Sequence, residues 1–310
     1  MPRPPDPSVV VLRALGLGDL LTGVPALRGL RAALPRDRIE LVVSRGVAPL
    51  ARLLDVADDV TTIASLSDDA PVPAPFLAVN LHGSGPESHS WLLRTNPSSL
   101  LAFAHPSIPA SFGGPTWSAD EHEVGRWCRL VTAAGIDADV TDLSIPAPPD
   151  PLPADPDRVV VHVGAGAGSR RWPPRRWVEV VRRLVRDGRT PLLTGDEDER
   201  PTALFVAGEA GIPVDRVLAG RTDVVELAGV VSGARLVLAG DTGVGHLATA
   251  LGRPSVLLFG PTSPSRWGPP PDGRHVVLWK GSTGDPHADE PDPGLLRITV
   301  DEVLEAAAAI

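Results

Sequence analysis

The sequence predicts an α/β protein built from two parallel-sheet domains, and three observations carry that expectation. Short β-branched runs alternate with longer segments of helical period along most of the chain, the pattern of strand–helix–strand units. A proline-dense stretch at residues 144–157 interrupts the alternation near the middle. A length of 310 residues is too great for one small core and too short for three domains, so two medium domains, 1–150 and 151–310, are expected.

In the N-terminal half the expected strands are Ser8–Leu12, Ile39–Val43, Phe76–Leu81 and Leu100–Ala104. A helix is expected over Leu20–Leu34, where Leu20, Leu27, Leu30 and Leu34 share a face and Pro25 marks a kink, and another over about 121–134. Residues 144–157 hold too many prolines for a helix or central strand and read as a semi-rigid linker that leaves a cleft between the halves. Beyond it come strand Val159–Val163, helix Trp177–Asp187, strand Thr190–Thr194, a helix from about Arg200, strand Arg216–Leu218, helix Val224–Ser232, strand Leu236–Ala239, helix Gly245–Leu251 and strand Ser255–Phe259. Residues 281–294 read as an exposed loop, and Asp301–Ala309 as a terminal helix N-capped near Thr299 that returns to the N-terminal domain.

Composition excludes several functions. An apolar share of 43% with a mean hydropathy of +0.06 fits a soluble globular chain. A net charge of −9 argues against nucleic acid as the main partner, because backbone binding needs a basic surface. Lys280 is the only lysine, which leaves neither a Schiff-base nor a Walker lysine, and Cys128 is the only cysteine, which rules out an intrachain disulfide and multi-cysteine metal sites. The eight histidines show no metal-ligand spacing, so neither metal nor cofactor is expected. Met1–Ser8 leads into a short apolar run without a secretory signature, and no apolar stretch approaches about 18 residues, so a cytoplasmic location is expected.

Familiar nucleotide motifs fail on inspection. Gly164-Ala-Gly166-Ala-Gly168-Ser169 has serine where a dinucleotide fingerprint needs glycine, and Gly16-Leu-Gly18-Asp19-Leu20-Leu21 fails at Leu21. There is neither a Walker A motif nor a nucleophile elbow. Four clusters remain where strands end and helices begin, the ligand-binding edge of doubly wound folds. Gly16–Asp19 places a carboxylate there, as a ligand group or as an ordinary helix cap. Gly164–Arg171 joins small residues to two arginines, an anion site or a flexible loop with solvated charge. Gly195–Glu199 offers carboxylates to ribose hydroxyls or to a helix dipole. Gly240–His246 sets Asp241 at a strand end and Thr242 and Gly243 at a helix start, either for phosphate or as an Asp–His brace.

Taken together the motifs resemble glycosyltransferase family 9, the ADP-heptose heptosyltransferases of lipopolysaccharide core assembly. The resemblance rests on Gly18-Asp19-Leu20-Leu21 with Pro25-Ala26-Leu27-Arg28, Arg170-Arg171-Trp172-Pro173, Gly195-x-Glu197-x-Glu199, and Asp241-Thr242-Gly243-x-x-His246 with Phe259-Gly260-Pro261-Thr262, in family order. It implies a GT-B fold of two Rossmann-like parallel-sheet domains facing across a cleft, with the acceptor on the first and the nucleotide-sugar, expected to be ADP-linked, on the second. It also implies Asp19 as general base, Arg170 in place of a phosphate-binding lysine, Glu197 on the ribose and Asp241 on the donor sugar. The donor-side set is then Gly164, Gly166, Ser169, Arg170, Arg171, Glu197, Thr222, Asp241, Thr242, Gly243 and His246. Acceptor-side candidates are Gly18, His82 and Arg94; His89, His105 and Trp117 lie in the same region. The expected reaction is inverting and metal-independent transfer to a glycan or glycolipid hydroxyl by a monomer, with peripheral membrane contact compatible. A nucleotide-sugar epimerase and a non-catalytic nucleotide-sugar binder are the alternatives.

Overall fold

A computed structural model of the protein describes residues 8–69 and 72–310. The N-terminal stretch read for a leader, Met1–Pro7, lies outside them. The chain divides into two compact units, 1–143 and 144–310, seven residues earlier than the sequence suggested.

The first unit runs β1 (Ser8–Arg13), α1 (Leu17–Thr22), α2 (Val24–Ala33), β2 (Arg38–Ser44), α3 (Ala48–Leu53), β3 (Asp59–Ile63), β4 (Leu77–Asn80), α4 (Glu87–Leu93), β5 (Ser99–Leu101) and α5 (Glu123–Thr132). Its strands pair in parallel in the order β3-β2-β1-β4-β5. Such a sheet is covered on both faces, so its central strands are apolar throughout; Val9–Leu12 of β1 are fully buried. Each such side chain contributes roughly 1.5–3 kcal/mol of burial. The single helix expected over Leu20–Leu34 is two, parted at Gly23, and Pro25 falls in the first turn of α2, where its missing N–H costs no hydrogen bond.

The second unit runs β6 (Arg158–His162), α6 (Pro174–Arg186), β7 (Thr190–Thr194), α7 (Arg200–Ala210), α8 (Val224–Ser232), β8 (Leu236–Gly240), α9 (Gly243–Ala250), β9 (Ser255–Leu258), α10 (Pro264–Trp267), β10 (His275–Leu278), α11 (Pro293–Leu296) and α12 (Val300–Ala309). Its strand order is β10-β9-β8-β6-β7, again all parallel. The strand expected at Arg216–Leu218 is a 3₁₀ turn over Val214–Arg216, after which Val217 makes a lone bridge to Leu193. Helix α12 starts at the predicted cap, with Thr299 and Glu302 closing a capping box. Within its own unit its apolar face packs into the core: Val303, Ala306 and Ala307 join it beside α6 and β9.

Residues 281–294 are expected as an exposed loop; most residues from 281 to 290 are exposed, and the backbone is nevertheless docked on the body of the unit, with α11 starting at Pro293. Ala288 accepts from the Ser169 amide at 2.8 Å, the Asp292 amide donates back to Ser169 O at 3.1 Å, and Gly284 N reaches Pro261 O at 3.0 Å. Among the described residues no helix is long and apolar enough to cross a membrane.

Candidate functional site

Both sheets have a switch point, where connections leave a central strand in opposite directions: between β1 and β4 in the first unit, and between β6 and β8 in the second. Ligands of doubly wound folds bind outside the carboxyl ends of the strands at such points.

In the second unit the loop after β6 and the turn after β8 meet there. Arg170 donates through Nη1 to Asp241 O at 3.2 Å and so ties the two together. Asp241 is only 8% exposed. Burial pushes its carboxyl up to about 6, against the pull of the Arg170 charge and of a hydrogen bond from Thr262. That bond gives the Phe259–Thr262 tail its role at the site. Thr242 is the N-cap of α9 by backbone geometry, yet its hydroxyl makes no capping bond. Its Oγ1, Ser169 Oγ and Arg170 Nε are buried polar atoms without a protein partner. Buried polar groups are nearly always satisfied, so an unpaired hydroxyl at the α9 N-cap and unpaired polar atoms on the neighbouring loop stand out. His246 stands one turn into α9, edge-to-face with Trp267 at 5.7 Å, and both residues line a small crevice with Asp241 and Thr242. Asp241 itself is engaged by Thr262 and by the Arg170 charge.

The two arginines part company. Arg171 turns back onto its own loop, donating from Nε to Ala165 O at 2.9 Å. The following Trp172 is buried, bonded to Ile298 O and packed edge-on against Trp177, which fixes the loop's exit. Gly164 has a packing reason: a Cβ there would fall within 2.2 Å of all three carboxyl atoms of Glu199. Glu199 is held below the loop, accepting from Asp196 N at 2.9 Å and lying 3.7 Å from His162 Nε2, whose Nδ1 meets Thr194 Oγ1. Burial raises the Glu199 carboxyl and pushes the His162 imidazole down to about 4. Glu197, by contrast, is exposed, with its carboxylate against Gly220, whose φ of +68° leaves the space a side chain would fill. Thr222 is half-buried beside Asp223, the N-cap of α8.

In the first unit Asp19 is the third residue of α1, and its Oδ2 accepts from Gly16 N at 3.2 Å. The capping contribution is therefore real, and the side chain still keeps 28% of its surface exposed. Beneath it lies a residue that sequence reading missed. Arg13, the last residue of β1, is fully buried and donates from Nε to Asp19 O at 2.8 Å, from Nη2 to Thr22 Oγ1 at 3.1 Å and Glu123 Oε1 at 3.4 Å, and to Leu81 O. A charged side chain closing the run Val-Val-Val-Leu was the available signal. His82, one residue past that carbonyl, shares this corner; burial and the Arg13 charge push its imidazole down to about 4, and its Nδ1 has no partner. Arg94 does not join them: it caps the far end of α4 and donates to Leu66 O and Asp68 O. His89 is consumed by Asn80 and Phe103 O, His105 by the Ser107 amide, and Trp117 by Phe103 and Trp127. Among the described residues no group of three or more His, Cys, Asp or Glu converges as a metal site would need.

Known proteins are similar to this chain in fold and, over part of its length, in sequence. Lipopolysaccharide heptosyltransferase 1 of Pseudomonas aeruginosa is 38% identical over 119 residues, which cover 37% of this chain and 32% of that protein, so the chain spans about a third of the length of that curated relative. A glycosyl transferase of family 9 from Veillonella parvula superposes with a TM-score of 0.80 at 18% identity, covering 97% of this chain and 96% of its own. The E. coli heptosyltransferase WaaC solved with ADP-2-deoxy-2-fluoro heptose gives 0.70 at 20% identity, over 97% and 99%. At those identities the structures establish the fold, the two Rossmann-like domains of the GT-B class. The sequence model of glycosyltransferase family 9 (heptosyltransferase) matches residues 119–292, more than half of the chain. The chain belongs to glycosyltransferase family 9.

Proposed function

We propose that this protein transfers heptose from ADP-heptose to a hydroxyl of a lipopolysaccharide-type acceptor, with inversion and without a metal. The observation that carries the reading is a set of orphaned buried polar atoms: Thr242 Oγ1 at the α9 N-cap, Arg170 Nε on the side chain that reaches Asp241 O, and Ser169 Oγ on the adjoining residue of the loop. A diphosphate supplies the oxygens they lack, and the WaaC neighbour was solved with an ADP-sugar analogue. In the reaction the acceptor oxygen attacks the anomeric carbon as its proton passes to Asp19. The bond from that carbon to the diphosphate breaks, and the electron pair leaves with ADP. Arg170 and the α9 amides stabilise the growing charge, which is the task a metal performs elsewhere. Asp241 holds the sugar, Glu197 the ribose, and Thr242, Gly243 and His246 complete the cradle.

The test is transfer from ADP-heptose to lipopolysaccharide extracted from a heptose-deficient strain, followed by mass and by the anomeric proton resonance. An inverted linkage is expected, undiminished by EDTA, and ADP-heptose should give the largest thermal shift among ADP-, GDP- and UDP-sugars. Asp19→Asn should bind ADP normally and lose at least about 100-fold in kcat, the span of general base catalysis. Wild-type turnover from that variant would reject the base, and loss of activity with EDTA would reject the metal-free mechanism.

A further inference from the structure

We infer that Arg13 is the positioning residue of the transfer: it fixes Asp19 from beneath and holds the carboxylate ready for the acceptor. This rests on the reading of Asp19 as base given above.

The geometry goes beyond a core ion pair. Arg13 is fully buried at the end of β1, and its guanidinium grips three separate elements: α1 through Asp19 O and Thr22 Oγ1, the end of β4 through Leu81 O, and α5 through Glu123. Its flat face lies over Trp127 at 4.6 Å, so the plane of the fork is set by packing as well as by hydrogen bonds. Glu123 does not balance Arg13 alone. It also accepts from Arg126 and from Trp127 Nε1 at 2.7 Å, so two buried arginines share one buried carboxylate. A second carboxylate near Arg13 is that of Asp19, whose Oδ1 stands 3.8 Å from Nη2 while Oδ2 is held by Gly16 N. Both oxygens are thus steadied on the protein side, and the remaining exposed surface is the side an acceptor hydroxyl would approach. A Cβ at Gly23 would come within 3.3 Å of Arg13 Nε, so the residue parting α1 from α2 also leaves the guanidinium its room. Positioning of this kind matters because a displacement of about 1 Å at a catalytic group costs on the order of 100-fold in rate.

The experiment compares Arg13→Gln, Arg13→Lys, Glu123→Gln and Asp19→Asn in the full-length protein, with ADP affinity by calorimetry and kcat and KM from the transfer assay above. Arg13→Gln keeps amide donors for Leu81 O and removes the charge. It should fold, bind ADP within about twofold of wild type, and lose on the order of 100-fold in kcat with little change in the KM for ADP-heptose. Arg13→Lys, which restores a cation without the fork, should recover about tenfold of that loss. Glu123→Gln leaves Arg13 in place but loosens its grip, and should lower kcat several-fold, which keeps the test open if Arg13→Gln does not fold. A merely structural Arg13 would lower the melting temperature and leave the kcat of the folded protein unchanged. Wild-type kcat in a folded Arg13→Gln or in Glu123→Gln, or no gain from lysine over glutamine, overturns the inference. Normal turnover by Asp19→Asn would instead overturn the base assignment, so the two failures are told apart.

Discussion

At Asp241 binding and stability pull in opposite directions. Its carboxyl is raised to about 6 by burial, so the folded chain holds that proton more tightly than the unfolded chain does. Its contribution to stability is therefore fully present below the ordinary carboxylate value of 3.8 and is lost as the pH rises through about 6. At about 1.4 kcal/mol per pH unit the loss is on the order of 3 kcal/mol. Asp241→Asn should melt with the wild type near pH 4 and above it at pH 8, while its affinity for ADP-heptose falls; calorimetric scans at the two pH values would show the crossover, and equal differences at both would refute it. The orphaned hydroxyls follow the same logic. Thr242 Oγ1 is buried and unpaired, so Thr242→Val should leave stability unchanged or raised. If that hydroxyl exists for a phosphate oxygen, ADP affinity should drop about tenfold, a loss of some 1.4 kcal/mol.

Glycines at the element boundaries differ in sign according to what a Cβ would meet. Gly168 lies against the 281–292 segment, and a Cβ there would sit 1.6 Å from Asp289 O, a backbone atom that cannot swing aside. Gly168→Ala should therefore lift that segment, cost about 1–3 kcal/mol and speed amide exchange at Ser169 and Asp292, which now bond across the contact. Gly208 is exposed inside α7, and a Cβ there meets nothing within 4 Å. Gly208→Ala should raise stability by about 0.5–1 kcal/mol through helix propensity alone. The same scale shows what could be read in advance. Central strands such as Val159–Val161 announce themselves because both faces are buried. Edge strands β3 and β10 went unread because Asp59-Val-Thr-Thr-Ile63 and His275-Val-Val-Leu278 are largely half-buried and carry polar residues. The site divides along similar lines. Glycine loops and strand-end carboxylates are local signals and were legible. The grip of Arg13 on Glu123 spans 110 residues of sequence, and the docking of Ala288 on Ser169 joins two loops that no periodicity links.

For the whole molecule, the placing of the 144–157 stretch decides what each unit needs in order to fold. Its prolines suggested a hinge, but the structure anchors it to the C-terminal unit: Ile145 N donates to Ala250 O, Leu152 N to Gly229 O and Asp155 N to Gly233 O. Gly229 and Gly233 exist to admit it, since a Cβ on either would come within 2.9 Å of Asp150 O or 2.5 Å of Leu152 O. The unit beginning at 144 also has its own five-stranded sheet and a core that includes Trp172, Trp177 and the apolar face of α12. All of the residues proposed to hold ADP lie in it, while Arg13 and Asp19 lie in the other. A fragment of residues 144–310 should therefore fold cooperatively and bind ADP with the affinity of the full chain, yet transfer nothing. A fragment of residues 158–310 drops these three backbone bonds of the anchored stretch and also those from Thr190 N to Asp157 O and from Arg158 N to Asp155 O, worth roughly 1 kcal/mol each. Its melting temperature should fall several degrees below that of the longer fragment, at about 2–4 °C per kcal/mol for a domain of this size. Equal melting of the two fragments would return the stretch to the role of a free linker, and failure of 144–310 to bind ADP would move part of the nucleotide site out of this unit.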